Sequence, residues 1–217
     1  MNTKILNLLL ALLLLLPFAI IGLYYQQIPE TFPVHWDISG QPDRFSSNKL
    51  EIFTLPVINL VIALFMFLIP KIAAKPNFSL FETTYHKLII IMAALFSSIF
   101  MVQFDAIMWQ VLPTDAIIYV LLLFFLIFGN YLGKVRPNYF VGIRTPWTLE
   151  SEQVWIKTHR LTGMLWALSS LIMLVLKIII PMTSFIYLLG IYLVVIITFP
   201  FVYSFLAFKK EKSASIQ

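Results

Sequence analysis

Arg144, Lys157, His159 and Arg160 stand with Trp147 and Trp155 in one polar stretch, Gly133 to Arg160, of a chain that is otherwise nearly all hydrocarbon. The stretch reads G-K-V-R-P-N-Y-F-V-G-I-R-T-P-W-T-L-E-S-E-Q-V-W-I-K-T-H-R, with an uncharged apolar run on either side. A guanidinium grips a carboxylate or a phosphate with two parallel bonds, which an ammonium cannot do, so Arg144 is the natural anchor for an anionic group. Asn138, Gly142, Ile143, Thr145 and Pro146 complete the segment from which a contact surface would be built. A second chemistry-bearing set, Pro33, His35, Trp36, Gly40, Pro42 and Asp43, falls between Ile28 and Lys49. His35-x-Asp37 offers two metal ligands, but a zinc site takes four and the chain has no cysteine. The three histidines, 35, 86 and 159, fall on different segments, and Glu82 with His86 has helical spacing but no third ligand. No nucleophile, base and orienting group gather at one depth, so neither an enzyme nor a metal or cofactor site is expected.

What positions these residues is a membrane protein. The chain has 217 residues, 60% hydrophobic and 12% charged, about half the charge of a soluble domain. A span needs about 20 mostly apolar residues, and charge-free runs place six, at roughly 5–25, 52–70, 88–112, 115–132, 161–180 and 184–208. The expected fold is all-α, a polytopic membrane protein of about six transmembrane helices. The first run is too long for a signal-peptide core and lacks a small-x-small cleavage site, so it is read as an uncleaved span. With the N-terminus inside, Lys4, Lys71, Lys75, Lys87, Lys134, Arg136, Arg144, Lys157, Arg160, Lys209, Lys210 and Lys212 share one side, 12 of the 15 basic residues. The positive-inside rule then puts both termini in the cytoplasm. The net charge of +5 is an orientation signal and an attraction to anionic lipid headgroups; direct nucleic-acid binding is not expected.

Two connections are richer than loops need to be. In the outer one, 26–50, Pro29 and Pro33 hold the chain extended, while Asp37-Ile-Ser-Gly40 and Gly40-Gln-Pro-Asp43 form turns. An interfacial clasp anchored by Trp36 and Phe45 and an outward-facing recognition loop are both open readings. In the inner one, 133–160, Pro137 and Pro146 bracket an extended stretch. Thr148 is read as the cap of a helix over 149–159, with Glu150 and Glu152 in its first turn and Lys157, His159 and Arg160 in its last. Trp147 and Trp155, eight positions apart, would share a face lying along the headgroups. Asn59 and Asn130, inside spans two and four, are read as glue between helices.

Two ionisable groups fall inside spans. Asp105 lies about 26 Å along span three and Lys177 about 24 Å along span five at 1.5 Å per residue, so they are candidates for an intramembrane pair. That pair is the best support for an alternative function, a small transporter or proton-coupled carrier. The absence of an internal repeat or a broken helix pair counts against it.

The stretch from Asn130 to Arg160, with G-I-R-T-P-W-T-L and then W-x-K-T-H-R, resembles the signature of the SdpI family of bacterial membrane proteins. The outer loop, with I-P-E-x-F-P-V-H-W and G-x-P-D-R, resembles DUF1648, a small domain that precedes the SdpI region in many members. The resemblance implies a DUF1648-like region over 1–75, a third span and its connections over 76–114, and an SdpI-like region over 115–217. It also implies residence in the bacterial cytoplasmic membrane. The type member is an immunity protein that protects against a cannibalism peptide toxin and holds a repressor at the membrane once toxin is present. Resistance to a membrane-active peptide, with relay to a cytoplasmic repressor, is therefore the implied function, and membrane lipids, a peptide toxin and that repressor are the implied partners.

Overall fold

A computed structural model of the chain describes residues 3–37, 40–72 and 76–214. Lys75 and the Ile38-Ser39 centre of the first expected turn lie outside the described residues. Among the described residues there are six long apolar helices: α1 (Thr3–Tyr24), α2 (Thr54–Ile72), α3 (Glu82–Trp109), α4 (Thr114–Leu132), α6 (Glu152–Ile179) and α7 (Met182–Ala214). A short helix, α5 (Pro146–Glu150), precedes α6, and a two-stranded hairpin, β1 (Phe32–Trp36) and β2 (Pro42–Ser46), lies between α1 and α2. Each helix overlies an expected span, but three run further at one end: α3 starts at Glu82, α6 at Glu152, and α7 continues to Ala214. The expected helix over 149–159 does not exist separately from span five.

The chain divides into two compact units. The first comprises residues 1–68 and 89–121. Its core is Ile21, Ile28, Phe32, Ile52, Phe100, Phe104 and Ile107. Phe32 of β1 is fully buried here, which docks the hairpin on the helix ends. The extended, turned loop expected from its prolines is thus an antiparallel ribbon pairing Phe32 with Ser46 and Trp36 with Pro42. The Gly40 N–H donates to the Asp37 carbonyl at 3.0 Å and Gly40 has φ +80, the left-handed turn its sequence calls for. Deeper in the unit, the Asn59 amide donates to the Ala93 carbonyl (3.1 Å) and to Ser97 Oγ (3.0 Å), and Ser97 donates to the Leu13 carbonyl (2.7 Å). Those bonds join α2, α3 and α1 where no water is available to replace them, as read for Asn59. The opposite face of α1 carries exposed Leu8, Leu12 and Leu15, suited to hydrocarbon.

The second unit comprises 69–88 and 122–217. Its centre is the antiparallel pair α6 and α7. Trp166 donates its indole N–H to the Ile196 carbonyl (2.9 Å), Ser170 bonds Tyr192 (2.7 Å), and Phe125 of α4 meets Trp166 edge-on. At 28 and 33 residues, α6 and α7 are about 42 and 50 Å long at 1.5 Å per residue. A hydrocarbon core is about 30 Å thick, so this pair extends beyond it. The start of α6 and the end of α7 therefore offer a platform for the polar segment.

Candidate functional site

The polar segment folds as a braced loop on that platform. Pro137 ends the run after α4, and Asn138 organises the bend beyond it. The Asn138 amide nitrogen donates to the carbonyls of Arg136 (2.8 Å) and Val141 (3.0 Å), and its side-chain oxygen accepts from the N–H groups of Phe140 (2.8 Å) and Val141 (2.7 Å). Four bonds from one buried amide close the bend, and residues too short or without both donor and acceptor cannot make them. Gly142 then turns the chain at φ +116, a conformation open to glycine alone. A Cβ there would overlap His159 Nε2 and lie 3.1 Å from the Trp155 ring.

Trp155 and His159, one turn apart on α6, are both fully buried and stack at 4.1 Å between ring centres. The Trp155 indole donates to the Val135 carbonyl (2.9 Å), while His159 Nε2 accepts from the Ile143 N–H (2.9 Å). Since Nε2 is an acceptor, the ring is the neutral Nδ1–H tautomer, and Nδ1 donates to the Trp155 carbonyl at 2.9 Å. The two rings thus hold both ends of the loop. Trp155 was expected beside Trp147 at the headgroups; instead it is in the core, because it finds a carbonyl for its N–H there.

The helix start also differs from expectation. Thr145, not Thr148, is the cap of α5. It accepts from the Thr148 N–H (3.2 Å), and Thr148 accepts in return from the Thr145 N–H (3.0 Å), a reciprocal box. Thr145 also donates to Ser204 of α7 (3.1 Å), and the Trp147 ring packs on Phe205 at 5.1 Å. Ser151 breaks α5 from α6 with an extended backbone, caps α6 at Val154, and donates to the Glu211 carboxylate (2.8 and 3.0 Å).

The sequence-derived candidates therefore divide. Asn138, Thr145, Trp155 and His159 are buried and shape the loop, with Gly142 and Ile143 half-buried beside them. Arg144, Pro146, Lys157 and Arg160 are exposed. Among the described residues the Arg144 guanidinium makes one hydrogen bond, to the Tyr139 carbonyl (2.7 Å), so four of its five N–H groups stay open to a ligand. On the hairpin, Pro33 and Gly40 are buried, Trp36 and Pro42 half-buried, and His35 bonds Asp43 at 2.6 Å on the exposed face. Asp105 is exposed on α3 in the first unit. Lys177 is buried on α6 in the second, its Nζ 5.6 Å from the Phe185 ring centre.

Ser204 and Glu211 were missed because nothing local marks a partner about 60 residues away. Gly129 and Gly163 were missed too, although Gly129-x-x-x-Gly133 is the small-residue spacing of close helix crossings. Asn130, read as helix glue, is exposed instead.

The braced loop, α6 and the part of α7 up to Ser204 fall within residues 134–204, which match the SdpI/YfhL protein family. The chain carries an SdpI/YfhL-like region. Residues 12–60, spanning most of α1, the hairpin and the start of α2, match the domain of unknown function DUF1648. The chain is 27% identical over 172 residues to Immunity protein SdpI of Bacillus subtilis (strain 168), covering 79% of this chain and 81% of that protein. No solved structure matches. With six apolar helices, the SdpI relationship makes this a multi-pass protein of the bacterial cytoplasmic membrane.

Proposed function

We propose that this chain is a non-enzymatic membrane immunity protein that protects its cell against a secreted membrane-active peptide. The carrying observation is the 27% identity to an immunity protein across 81% of that protein's length, with the braced loop inside the SdpI/YfhL match. In this reading both termini and the loop are cytoplasmic, which places most of the basic residues inside. The hairpin then faces outward, where a secreted peptide arrives. The loop supplies the inner half of the mechanism: a rigid base of Asn138, Trp155 and His159 presents Arg144 and Lys157 to an anionic partner. An acidic patch on a cytoplasmic repressor is such a partner, drawn by the positive field.

The test is survival of a sensitive bacterium expressing the chain, challenged with a panel of membrane-active peptide toxins. Wild type is expected to protect against at least one, and Arg144→Ala to lose most of that protection at equal membrane abundance. Failure of the wild type against every peptide overturns the immunity reading. Full protection by Arg144→Ala removes the loop from the mechanism while leaving immunity in place.

A further inference from the structure

Beside the braced loop, α4 and α6 cross with their backbones in contact. A Cβ on Gly129 would sit 2.7 Å from the Gly163 carbonyl oxygen, and one on Gly163 2.5 Å from that of Gly129. With no side chains at the crossing, a trough of about 580 Å³ is left between the two helices. Met164, Ala167 and Leu168 form its apolar length, and Asn130, Lys134 and Arg160 its polar end. Leu168 lies about 12 Å along α6 from Arg160 at 1.5 Å per residue, so apolar and polar parts succeed one another along the membrane normal. Met164 and Leu168 are each 54% exposed, and on a membrane-spanning helix exposed means open to lipid.

The polar end is electrically uncompensated. Lys134 and Lys87 both stand over the Tyr131 ring, at 4.9 and 5.3 Å from its centre. Among the described residues no carboxylate comes within ion-pair distance of Lys87, Lys134 or Arg160. Lys134 and Arg160 thus line the polar end of the trough, and Lys87 shares the Tyr131 ring with Lys134 beside it. A second copy's helix is a poor occupant, because parallel packing would set cations against cations.

We propose that this trough is a binding site for an anionic phospholipid. Arg160 takes the phosphate bidentately, with Lys134 beside it and the Asn130 amide on the headgroup, and one acyl chain lies along the trough over Gly129 and Gly163. The inference is independent of the immunity reading.

It is tested by native mass spectrometry of the full chain in detergent, with phosphatidylglycerol or phosphatidylcholine of identical acyl chains. Wild type is expected to retain phosphatidylglycerol in preference. Lys134→Gln with Arg160→Gln should lower that preference about tenfold or more, given the typical attraction of each surface cation to anionic lipid. Lys209→Gln with Lys210→Gln removes the same charge elsewhere and should leave the preference intact. Met164→Trp fills the trough with every charge in place and should lower retention of both lipids. Equal retention of the two lipids by wild type overturns the proposal, whatever the variants do. So does an equal loss in the Lys209/Lys210 control, which would mean diffuse surface attraction. A lipid-free dimer as the main species assigns the trough to a second copy and also overturns it.

Discussion

Replacing Gly142 by alanine tests the architecture of the loop at its tightest point. Two penalties arise together. A non-glycine residue held at φ +116 costs about 1–3 kcal/mol. The new Cβ also overlaps His159 Nε2, so the imidazole must swing away and the Ile143 N–H loses its acceptor, a further cost of about 1–3 kcal/mol. The loop relaxes to share the two penalties, and a combined loss of about 3 kcal/mol is the expectation. Local opening free energy appears directly in amide hydrogen exchange, where 3 kcal/mol is a factor of about a hundred. Peptides covering 138–148 should therefore exchange about a hundredfold faster in Gly142→Ala, while those from α7 around Tyr192 stay near wild type. His159→Ala supplies the second half of the cycle. In that background the overlap with the imidazole is gone, leaving the backbone term and the 3.1 Å approach to the Trp155 ring, so the same Gly142→Ala step should cost at least 1 kcal/mol less. Unchanged exchange in the single variant would refute the geometry of the turn. An equal cost in both backgrounds would refute the contact between Gly142 and His159.

Other substitutions probe the braces one at a time. Asn138→Ala removes four hydrogen bonds from a buried amide and should open the loop to protease between Arg136 and Arg144, at a cost of about 2–4 kcal/mol; resistance equal to wild type would show that the bend holds without it. Thr145→Val should cost about 1–2 kcal/mol through loss of the cap, and a cycle with Ser204→Ala should show coupling, read by thermal unfolding in detergent. Strict additivity there would mean the two hydroxyls do not meet. Asn59→Leu should destabilise the first unit by about 0.6–2 kcal/mol, most of it absent in a Ser97→Ala background.

The six helices were legible because a bilayer imposes a length and a composition that no neighbour can override. The hairpin was partly legible: Gly40 and the prolines announce turns and extended chain, but pairing of 32–36 with 42–46 depends on Phe32 finding the core beneath it. The polar segment was legible as special and illegible in its parts. Trp155, His159 and Arg144 look alike on paper, as polar or amphipathic groups beside a membrane. What separates them is whether a distant backbone group comes to meet them. Val135 and Ile143 do so for Trp155 and His159, which can then be buried; Arg144 meets only its own loop and stays outside. The expected cap at Thr148 failed for a related reason, since Thr145 gains a second partner in Ser204 that local sequence does not reveal.

The fastening of the loop to α7 has a consequence for how the chain is made. Thr145 and Ser151 meet Ser204 and Glu211, 59 and 60 residues later. At about 5–20 residues per second, the ribosome delivers those partners about 3–12 s after the loop itself. During that interval the loop exists without its clasps, already carrying its basic side chains, and it is then most exposed to proteases. A chain that stalls or terminates before Ser204 would leave the loop in that state, so its cleavage would be a direct reading of whether synthesis reached the end of α7.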